Sequence, residues 1–460
     1  MSKNSIDLGK GSVGKLLLKL SVPAIIAQLV NVLYNIVDRI FIGRLPSGEL
    51  AMAGVGVAFP IIIIVSAFSS LIGMGGAPRC AIKMGEHDND GAENILSNCF
   101  STLIILGLIL TIVFMIFKEP ILWAFGASEA TIGIALEYLS IYLIGTVFVQ
   151  IALGMNPFIN TQGFAKTGMI TVLIGAVINI VLDPILIFGL DMGVKGAALA
   201  TIIAQTVSAI WVLKFLFGKK SILKIRKKYL AINPKVILPV MALGVSPFIM
   251  QSTESLVLIS LNTKLQAYGG DLAVGAMTIM SSIMQMITLP LQGLTQGAQP
   301  IISYNFGAKN MDRVKKTFRL LLISSLTLTL VCCGLLMMFP EFFVSIFNKD
   351  QKLMEITVWS IRIYFIGMSI FGAQIACQQT FLALGQAKIS LMLALLRKII
   401  LLIPLIFILP SFFENKLLGV LTAEPVADII AVLSTVTCFA IFYKKKLAHP
   451  DEGKKNVKVS

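Results

Sequence analysis

Two acidic residues inside strongly apolar stretches are the residues of this sequence whose types and spacing could do chemistry. Asp183 follows Asn179 by four residues, which puts both side chains on one face of a helix. Pro184 comes next and has no amide hydrogen, so a backbone carbonyl upstream loses its usual partner. Carboxylate, amide and carbonyl oxygens are the ligands that a small cation prefers. The pattern therefore predicts a cation site at Asp183, to which Asp38 and the hydroxyl of Thr201 add further oxygens.

The pair formed by Asp38 and Asp183 predicts the exchange of a proton for a sodium ion. Withdrawal from water favours the protonated form of a carboxyl group, so two such groups in one pocket could hold a proton at neutral pH and release it when Na⁺ binds. Asp38 has a second interpretation, an ion pair with Arg39 where its helix ends. In the second half of the chain Asn262 stands opposite Asp38, so we expect the coupling site in the first half.

Glu254 and Asp428 are further acidic residues inside apolar stretches. Glu254 either attracts a cationic substrate or forms a polar contact between helices. Asp428 lies close to Glu424 at the start of the last apolar stretch, where a structural cap is favoured over a function. With 20 Met and 28 Phe, adaptable apolar walls could hold amphipathic molecules. The candidate substrate-binding residues are Gln28, Asn31, Tyr34, Gln150, Asn156, Glu254, Gln285 and Gln378.

The elements that must position these residues are membrane-spanning helices. Of the 460 residues, 57% are hydrophobic and 13% are charged, against about 25% charged in soluble domains. This composition excludes a soluble enzyme, a disordered chain and a single-pass receptor. Twelve apolar stretches are each long enough to cross a bilayer as a helix, and the first, with Asp38 and Arg39, is not a cleavable signal peptide. The stretches are 16–42, 50–77, 95–117, 132–154, 168–190, 193–217, 235–261, 272–302, 318–340, 357–383, 389–411 and 416–443.

The basic residues predict an orientation in the membrane. With the N terminus in the cytoplasm, the segments on that side hold 25 of the 38 Lys and Arg, and the opposite loops hold 7. This asymmetry predicts that both termini are cytoplasmic and that the basic side is attracted to anionic membrane lipid. It also accounts for the net charge of +15 without nucleic acid, because the basic residues lie between apolar runs. The two His and six Cys show no metal-site spacing.

The chain repeats itself at about half its length. Four pairs of identical residues share nearly the same offset, and six spans per copy is an even number, so both copies enter the membrane from the same side. We therefore expect an all-α integral membrane protein with twelve transmembrane helices in two pseudo-twofold-related six-helix lobes. The pairs are Gly163 and Gly385, Lys166 and Lys388, and Gly85 and Gly307, which are 222 residues apart, and Pro23 and Pro247, which are 224 apart.

The repeat divides the chain into four parts. Residues 1–217 form an N-lobe that holds the cation site, 218–234 a basic cytoplasmic linker, 235–443 a C-lobe and 444–460 a cytoplasmic tail. Two like bundles predict a central cavity that opens alternately to either side of the membrane. The sequence has no Walker loop and no catalytic constellation, so we expect neither an enzyme nor direct use of ATP.

Several stretches resemble the multidrug and toxic compound extrusion (MATE) family, in particular its DinF/MepA-like branch. The resemblance covers essentially the whole chain. It implies export of cationic or amphipathic drugs and toxic organic compounds by antiport with H⁺ or Na⁺, without a cofactor, by a multi-pass monomer of the bacterial cytoplasmic membrane. It also implies an N-lobe cation site at Asp38, Asn179, Asp183 and Thr201. The stretches are 34–38 with Pro23, Gln28 and 41–43, then 179–184, 196–201 and 423–428.

The sequence departs from the family in one place and leaves two other functions open. Another branch of the family uses acids in the C-lobe, but here Gln374 and Gln378 stand where an acid would be needed. A flippase for a lipid-linked or polysaccharide precursor would need basic residues in its cavity, and a channel or sensor would have no obvious use for duplicated halves. Most of the basic candidates lie near span ends; they are Arg39, Arg362, Arg397 and Lys398.

Overall fold

The computed structural model describes residues 6–46, 48–347 and 350–448, and the part of the chain that it describes is helical with short connections. Ten helices are long and apolar enough to cross a membrane, and a pair bent by 60° makes an eleventh span. One of the ten, Pro234–Gly307, has 74 residues. At 1.5 Å per residue it would extend about 110 Å, more than three bilayer cores. Gly270, with φ 63° and ψ −161°, divides it into two spans.

The predicted twelve spans are therefore present, and we number them in chain order. Spans 1 to 6 are Val13–Gly43, Gly48–Gly85, Asn89–Ala124, the bent pair Ile132–Ile144 and Thr146–Thr161, Ala165–Pro184, and Val194–Leu216. Spans 7 and 8 are the two parts of Pro234–Gly307, before and after Gly270. Spans 9 to 12 are Met311–Met338, the pair Gln351–Met368 and Phe371–Ala383, Ala387–Leu395 with its continuation to Phe412, and Lys416–Phe442.

Three short helices lie outside these twelve spans in the described part of the chain. They are Lys227–Tyr229 in the linker, Pro340–Ser345 after span 9, and Tyr443–Ala448, which continues span 12 into the predicted tail. Residues 449–460 of that tail, and Lys349 in the loop after span 9, lie outside the described residues. Three spans change to a π-helix in the part of the chain that is described. Ile185–Gly189 follows span 5 as a π-helical turn, Leu396–Leu402 is π-helical within span 11, and Tyr443–Ala448 is π-helical after span 12.

The two six-span lobes touch through glycines at the end that carries the basic linker. A side chain at Gly85 would overlap the Tyr304 carbonyl, and one at Gly307 would overlap the Ile82 carbonyl. The two contacts are equivalent under the internal repeat, because residues 82 and 304 are 222 residues apart, as are residues 85 and 307. An offset that recurs in both the sequence and the packing indicates a pseudo-twofold axis between the lobes.

The linker packs on the N-lobe. Leu223 is fully buried, and the side-chain oxygen of Gln162 accepts hydrogen bonds from the linker groups Ser221 Oγ, Ile222 N and Leu223 N at 2.8–2.9 Å. Arg226 Nε donates to Glu93 Oε2 at 2.7 Å. These contacts attach most of the linker to spans 3 and 4, so the segment is an ordered part of the N-lobe surface.

The segment before span 1 packs on the C-lobe. Asn305 Nδ2 donates to the Leu8 carbonyl at 3.0 Å, and the Arg313 guanidinium donates to the carbonyls of Leu8, Lys10 and Gly11 at 2.7–3.3 Å. Leu8 is buried among residues of spans 1, 8 and 9. The N-terminal segment therefore bridges the two lobes at their basic end.

The junction between the lobes gives a first prediction, because it leaves no room for a methyl group at Gly244. A Cβ there would overlap the Leu71 carbonyl of span 2, whereas a Cβ at Gly334 of span 9 would meet nothing within 4 Å. We expect Gly244→Ala to cost about 1–3 kcal/mol through overpacking. Gly334→Ala should be neutral or stabilise by up to about 1 kcal/mol, since Ala is the better helix former.

The measurement is the apparent melting temperature of each purified variant, followed by tryptophan fluorescence. Gly244→Ala should melt well below the unsubstituted protein and Gly334→Ala at or above it. Equal melting temperatures for the two variants would contradict the close approach of spans 2 and 7.

Candidate cation and substrate sites

The structure brings three of the four predicted N-lobe site residues together by direct hydrogen bonds. Asn179 Nδ2 donates to Asp183 Oδ1 at 3.3 Å within span 5 and to Thr201 Oγ1 at 3.4 Å on span 6. Asn179 and Asp183 are buried. Spans 5 and 6 can approach this closely because Gly196 has no side chain, since a Cβ there would lie 2.7–2.9 Å from the backbone of Leu186 and Ile187.

Asp38 approaches the same place from span 1, close enough for its carboxyl group to interact electrostatically with that of Asp183. Tyr34, one turn earlier on span 1, and Tyr138 of span 4 lie within the electrostatic reach of Asp38. The alternative ion pair of Asp38 with Arg39 is not among the pairs within 4 Å in the described part of the chain. The Arg39 guanidinium lies instead over the Phe59 ring, 5.2 Å from its centre.

Three oxygen atoms at this site are buried and have no hydrogen-bond partner: Asp38 Oδ1, Asn179 Oδ1 and Asp183 Oδ2. Buried acceptors without a donor are costly, and two adjacent carboxylates repel each other. A proton on one carboxyl group, or a small cation held by these oxygens and by Thr201 Oγ1, would remove both costs. The donor set is therefore suited to either ion.

The C-lobe contains a network of five charged side chains, four of them buried or nearly so and Glu254 half exposed, that joins spans 7, 11 and 12. Arg397 Nε donates to Asp428 Oδ1 at 2.7 Å and Arg397 Nη2 to Glu424 Oε1 at 3.1 Å, with the guanidinium 4.4 Å from the centre of the Phe371 ring. Next to it, Lys398 forms an ion pair with Glu254. Two basic and three acidic groups thus nearly neutralise each other inside the lobe.

This network corrects two interpretations of the sequence. Arg397 and Lys398 do not lie near a span end, because they belong to the π-helical segment in the middle of span 11. Asp428 is not a helix cap either. Asn415 caps span 12 by accepting from the amides of Leu417 and Leu418, and Asp428 lies buried well inside that helix.

A signal for the network was present in the sequence. Two adjacent basic residues in the apolar stretch 389–411 are too costly in a membrane to stay unpaired, so they required acidic partners on neighbouring spans. Glu254, Glu424 and Asp428 are the acids that the structure brings to them. With these acids occupied by the protein's own cations, the described residues of the C-lobe offer no free carboxylate cluster to a coupling ion, in line with the absence of an acid at Gln374.

Some of the candidate substrate residues face open space and others are engaged by the protein. Gln28, Asn31 and Tyr34 are partly exposed on the side of span 1 that carries Asp38, and Gln285 is exposed on span 8. Asn156 donates to the Gly168 carbonyl at 3.3 Å and keeps a buried side-chain oxygen without a partner.

Gln150 and Gln378 are held by the protein in this conformation. Gln150 is fully buried, accepts from Ser69 Oγ at 2.9 Å and donates to the Val65 carbonyl at 2.7 Å, so it joins spans 2 and 4. Gln378 Nε2 donates to the Ser390 carbonyl at 3.1 Å, which joins spans 10 and 11. Substrate could reach either side chain only after these contacts open.

The MatE family model matches residues 23–185 and again 247–408, once in each half of the chain. The multidrug export protein MepA of Staphylococcus haemolyticus is 26% identical over 425 residues, 92% of this chain and 93% of that protein. MepA of Staphylococcus aureus is 26% identical over 427 residues, 93% of each.

Solved structures share the fold. A MATE transporter in a bent conformation superposes with a TM-score of 0.90 at 22% identity, covering 96% of this chain and 98% of that one. An outward-facing multidrug resistance MATE transporter superposes with a TM-score of 0.89 at 22% identity, covering 96% and 99%. These matches confirm the predicted all-α fold of twelve membrane helices in two six-helix lobes.

Proposed function

The chain belongs to the MatE family, and we infer that it exports cationic or amphipathic drugs and other toxic organic compounds across the bacterial cytoplasmic membrane. Membership of this family makes the chain a membrane transporter and not an enzyme, as predicted. We further propose that the chain works as a monomer without a cofactor, by alternating access driven by antiport of H⁺ or Na⁺.

The observation that carries the coupling mechanism is the set of three buried, unpartnered oxygens on Asp38, Asn179 and Asp183. A coupling ion must bind two conformations with different affinity, or it cannot shift their equilibrium. Asp38 is on span 1 while Asp183 and Asn179 are on span 5, so an ion held by all three fixes one span against the other. Loss of the ion leaves two carboxylates in repulsion and favours their separation.

Substrate and ion affect each other through span 1. Tyr34, Asn31 and Gln28 lie about one, two and three turns before Asp38 on span 1, so a movement of span 1 that follows ion binding changes the surface offered to the substrate. We propose that this change weakens substrate binding. Because linkage is reciprocal, a bound substrate then weakens ion binding by the same factor. Mutual exclusion of this kind is what antiport requires.

The proposed orientation follows from the basic residues. With the linker side in the cytoplasm, the lobes are packed together on the cytoplasmic side, where Gly75 meets Gly244 and Leu8 meets Asn305. Span 1 beyond its middle and the adjoining parts of spans 7 and 8 expose Leu33, Leu256 and Met286 at 57%, 55% and 63%. We infer that the cleft between the lobes opens to the outside in this conformation.

The flippase alternative is less favoured by the C-lobe. A phosphate-bearing lipid precursor needs basic groups that are free to bind it. Arg397 and Lys398 are paired with Asp428, Glu424 and Glu254. Drug export requires no such free cation.

The coupling ion can be identified in proteoliposomes that contain the purified chain. We expect uptake of ethidium when a proton gradient or a sodium gradient is imposed, and uptake at the level of protein-free liposomes when both gradients are collapsed by ionophores. The gradient that supports uptake alone names the ion. Uptake that persists at full rate without either gradient would show that transport is not coupled to these ions.

A further inference from the structure

Lys398 and Glu254 form an ion pair whose two ends differ in exposure. The Lys398 ammonium reaches from span 11 to span 7, contacts the Glu254 carboxylate and donates to the Met250 carbonyl at 2.9 Å. The Lys398 side chain is 8% exposed, whereas that of Glu254 is 44% exposed. The cation therefore lies on the inner side of the pair, and the carboxylate lies on the open side.

Glu254 lies next to the boundary between the lobes. Gln251, one turn earlier on the same face of span 7, accepts a hydrogen bond from Ser70 of span 2 at 3.0 Å, across that boundary. The helix then continues away from the basic end, past the packed glycines at Gly244 and Gly75. Glu254 thus lies one turn beyond a contact between the lobes, on the side away from the basic end.

The two basic residues of the network are held unequally. Arg397 binds two carboxylates that are both buried and also lies against the Phe371 ring. Lys398 binds one carboxylate that is half exposed, where water weakens the attraction. Lys398 would keep the Met250 carbonyl as a partner if it released Glu254. The Lys398–Glu254 pair is therefore the part of the network that can exchange.

We propose that Lys398 is a tethered competitor for Glu254, and that a monovalent organic cation binds this carboxylate by displacing the lysine ammonium. The inference rests on the export function proposed above. A compact ammonium offers Glu254 no more than Lys398 already does. A bulky cation with spread charge also buries apolar surface against Met250, which lies one turn before Glu254 on the same face of span 7 and is half-buried. Lys398 therefore weakens the binding of every cation by the same factor, and a large lipophilic cation offsets this loss through its apolar contacts whereas a small hydrated one does not.

The test is equilibrium binding of tetraphenylphosphonium to the purified full-length chain in detergent, with no ion gradient. We expect Lys398→Met to tighten binding by about tenfold, which corresponds to about 1.4 kcal/mol. The double variant Lys398→Met with Glu254→Gln removes both charges without leaving a buried ammonium unpaired, and it should bind no more tightly than the unsubstituted protein. Lys388→Met, which removes an exposed charge at the start of the same span, should change nothing.

Tetramethylammonium supplies the second arm, because it carries the same charge with little apolar surface. Its affinity should rise by the same factor as that of tetraphenylphosphonium when Lys398 is removed, since the lysine competes equally with both cations, and it should remain the weaker ligand. The proposal is overturned if Lys398→Met leaves tetraphenylphosphonium affinity unchanged, or if the gain persists in the double variant. Either of these two results would leave cation binding by the unsubstituted chain intact, and the proposed export function would stand. If no variant binds any cation, the export of cations fails together with this inference.

Discussion

Asp183→Asn is expected to reduce drug export to the level of cells that lack the transporter, while the protein remains folded in the membrane. The side chain is buried, with Oδ1 accepting from Asn179 and Oδ2 without a partner. Asn keeps the shape and a hydrogen-bonding oxygen but neither binds a proton at neutral pH nor adds a negative charge for a cation. The site then no longer binds the coupling ion with different affinity in the two conformations of the transporter, so transport is no longer coupled to the ion.

The measurement is ethidium efflux from cells, with the amount of membrane-inserted protein determined for each variant. Asp38→Asn should behave in the same way because it removes the other carboxylate. The matched control is Asp191→Asn, the same chemical change eight residues away in an exposed loop. Its φ of 51° lies in the left-handed region, which Asn adopts as readily as Asp, so export should be normal. Wild-type efflux by both buried-site variants would refute the proposed coupling mechanism.

Arg397→Met is expected to produce the largest loss of stability. The substitution leaves Asp428 and Glu424 buried without their counter-ion, and removal of one partner from a buried ion pair typically costs about 3–5 kcal/mol. Glu424 already has one buried oxygen without a partner, so it cannot be satisfied by a small shift. Less protein should accumulate in the membrane, and the purified variant should melt at a much lower temperature.

Two further variants separate charge from packing. Replacing all three members, as Arg397→Met with Glu424→Gln and Asp428→Asn, removes the unpaired charges and should recover much of the melting temperature. Arg362→Met removes a basic residue that is exposed on span 10, and it should melt like the unsubstituted protein. A triple variant no more stable than Arg397→Met alone would show that the guanidinium acts by its contact with Phe371 rather than by its charge.

Elements that depend on local composition were predictable from the sequence. Bilayer thickness sets the length of an apolar helix, so the twelve stretches gave twelve spans, and Gly270 divides spans 7 and 8 between the predicted stretches 235–261 and 272–302. The proximity of Asn179 and Asp183, on which their hydrogen bond depends, was also predictable, because the i and i+4 spacing places both side chains on one face of a helix. The contact of Asn179 with Thr201 needed the packing of two helices as well.

Contacts that depend on how distant spans pack were not predictable in the same way. Arg397 meets Asp428 only because spans 11 and 12 are neighbours, and Lys398 meets Glu254 across 144 residues of sequence. A single sequence shows the cost of each buried charge but not which partner offsets it. The same limit applies to Gln150, which is an amide at membrane depth in the sequence and a buried contact between spans 2 and 4 in the structure.

The opposite attachments of the linker and of the N-terminal segment impose an order on synthesis. The linker contacts Glu93 and Gln162, which the ribosome has already produced, so the N-lobe can complete its basic surface as soon as residue 226 emerges. The N-terminal segment needs Asn305 and Arg313, so the first residues made must wait until about two-thirds of the chain has been translated. During that interval Leu8 has only its contacts with the N-lobe, so the nascent chain exposes the apolar surface that spans 8 and 9 later cover.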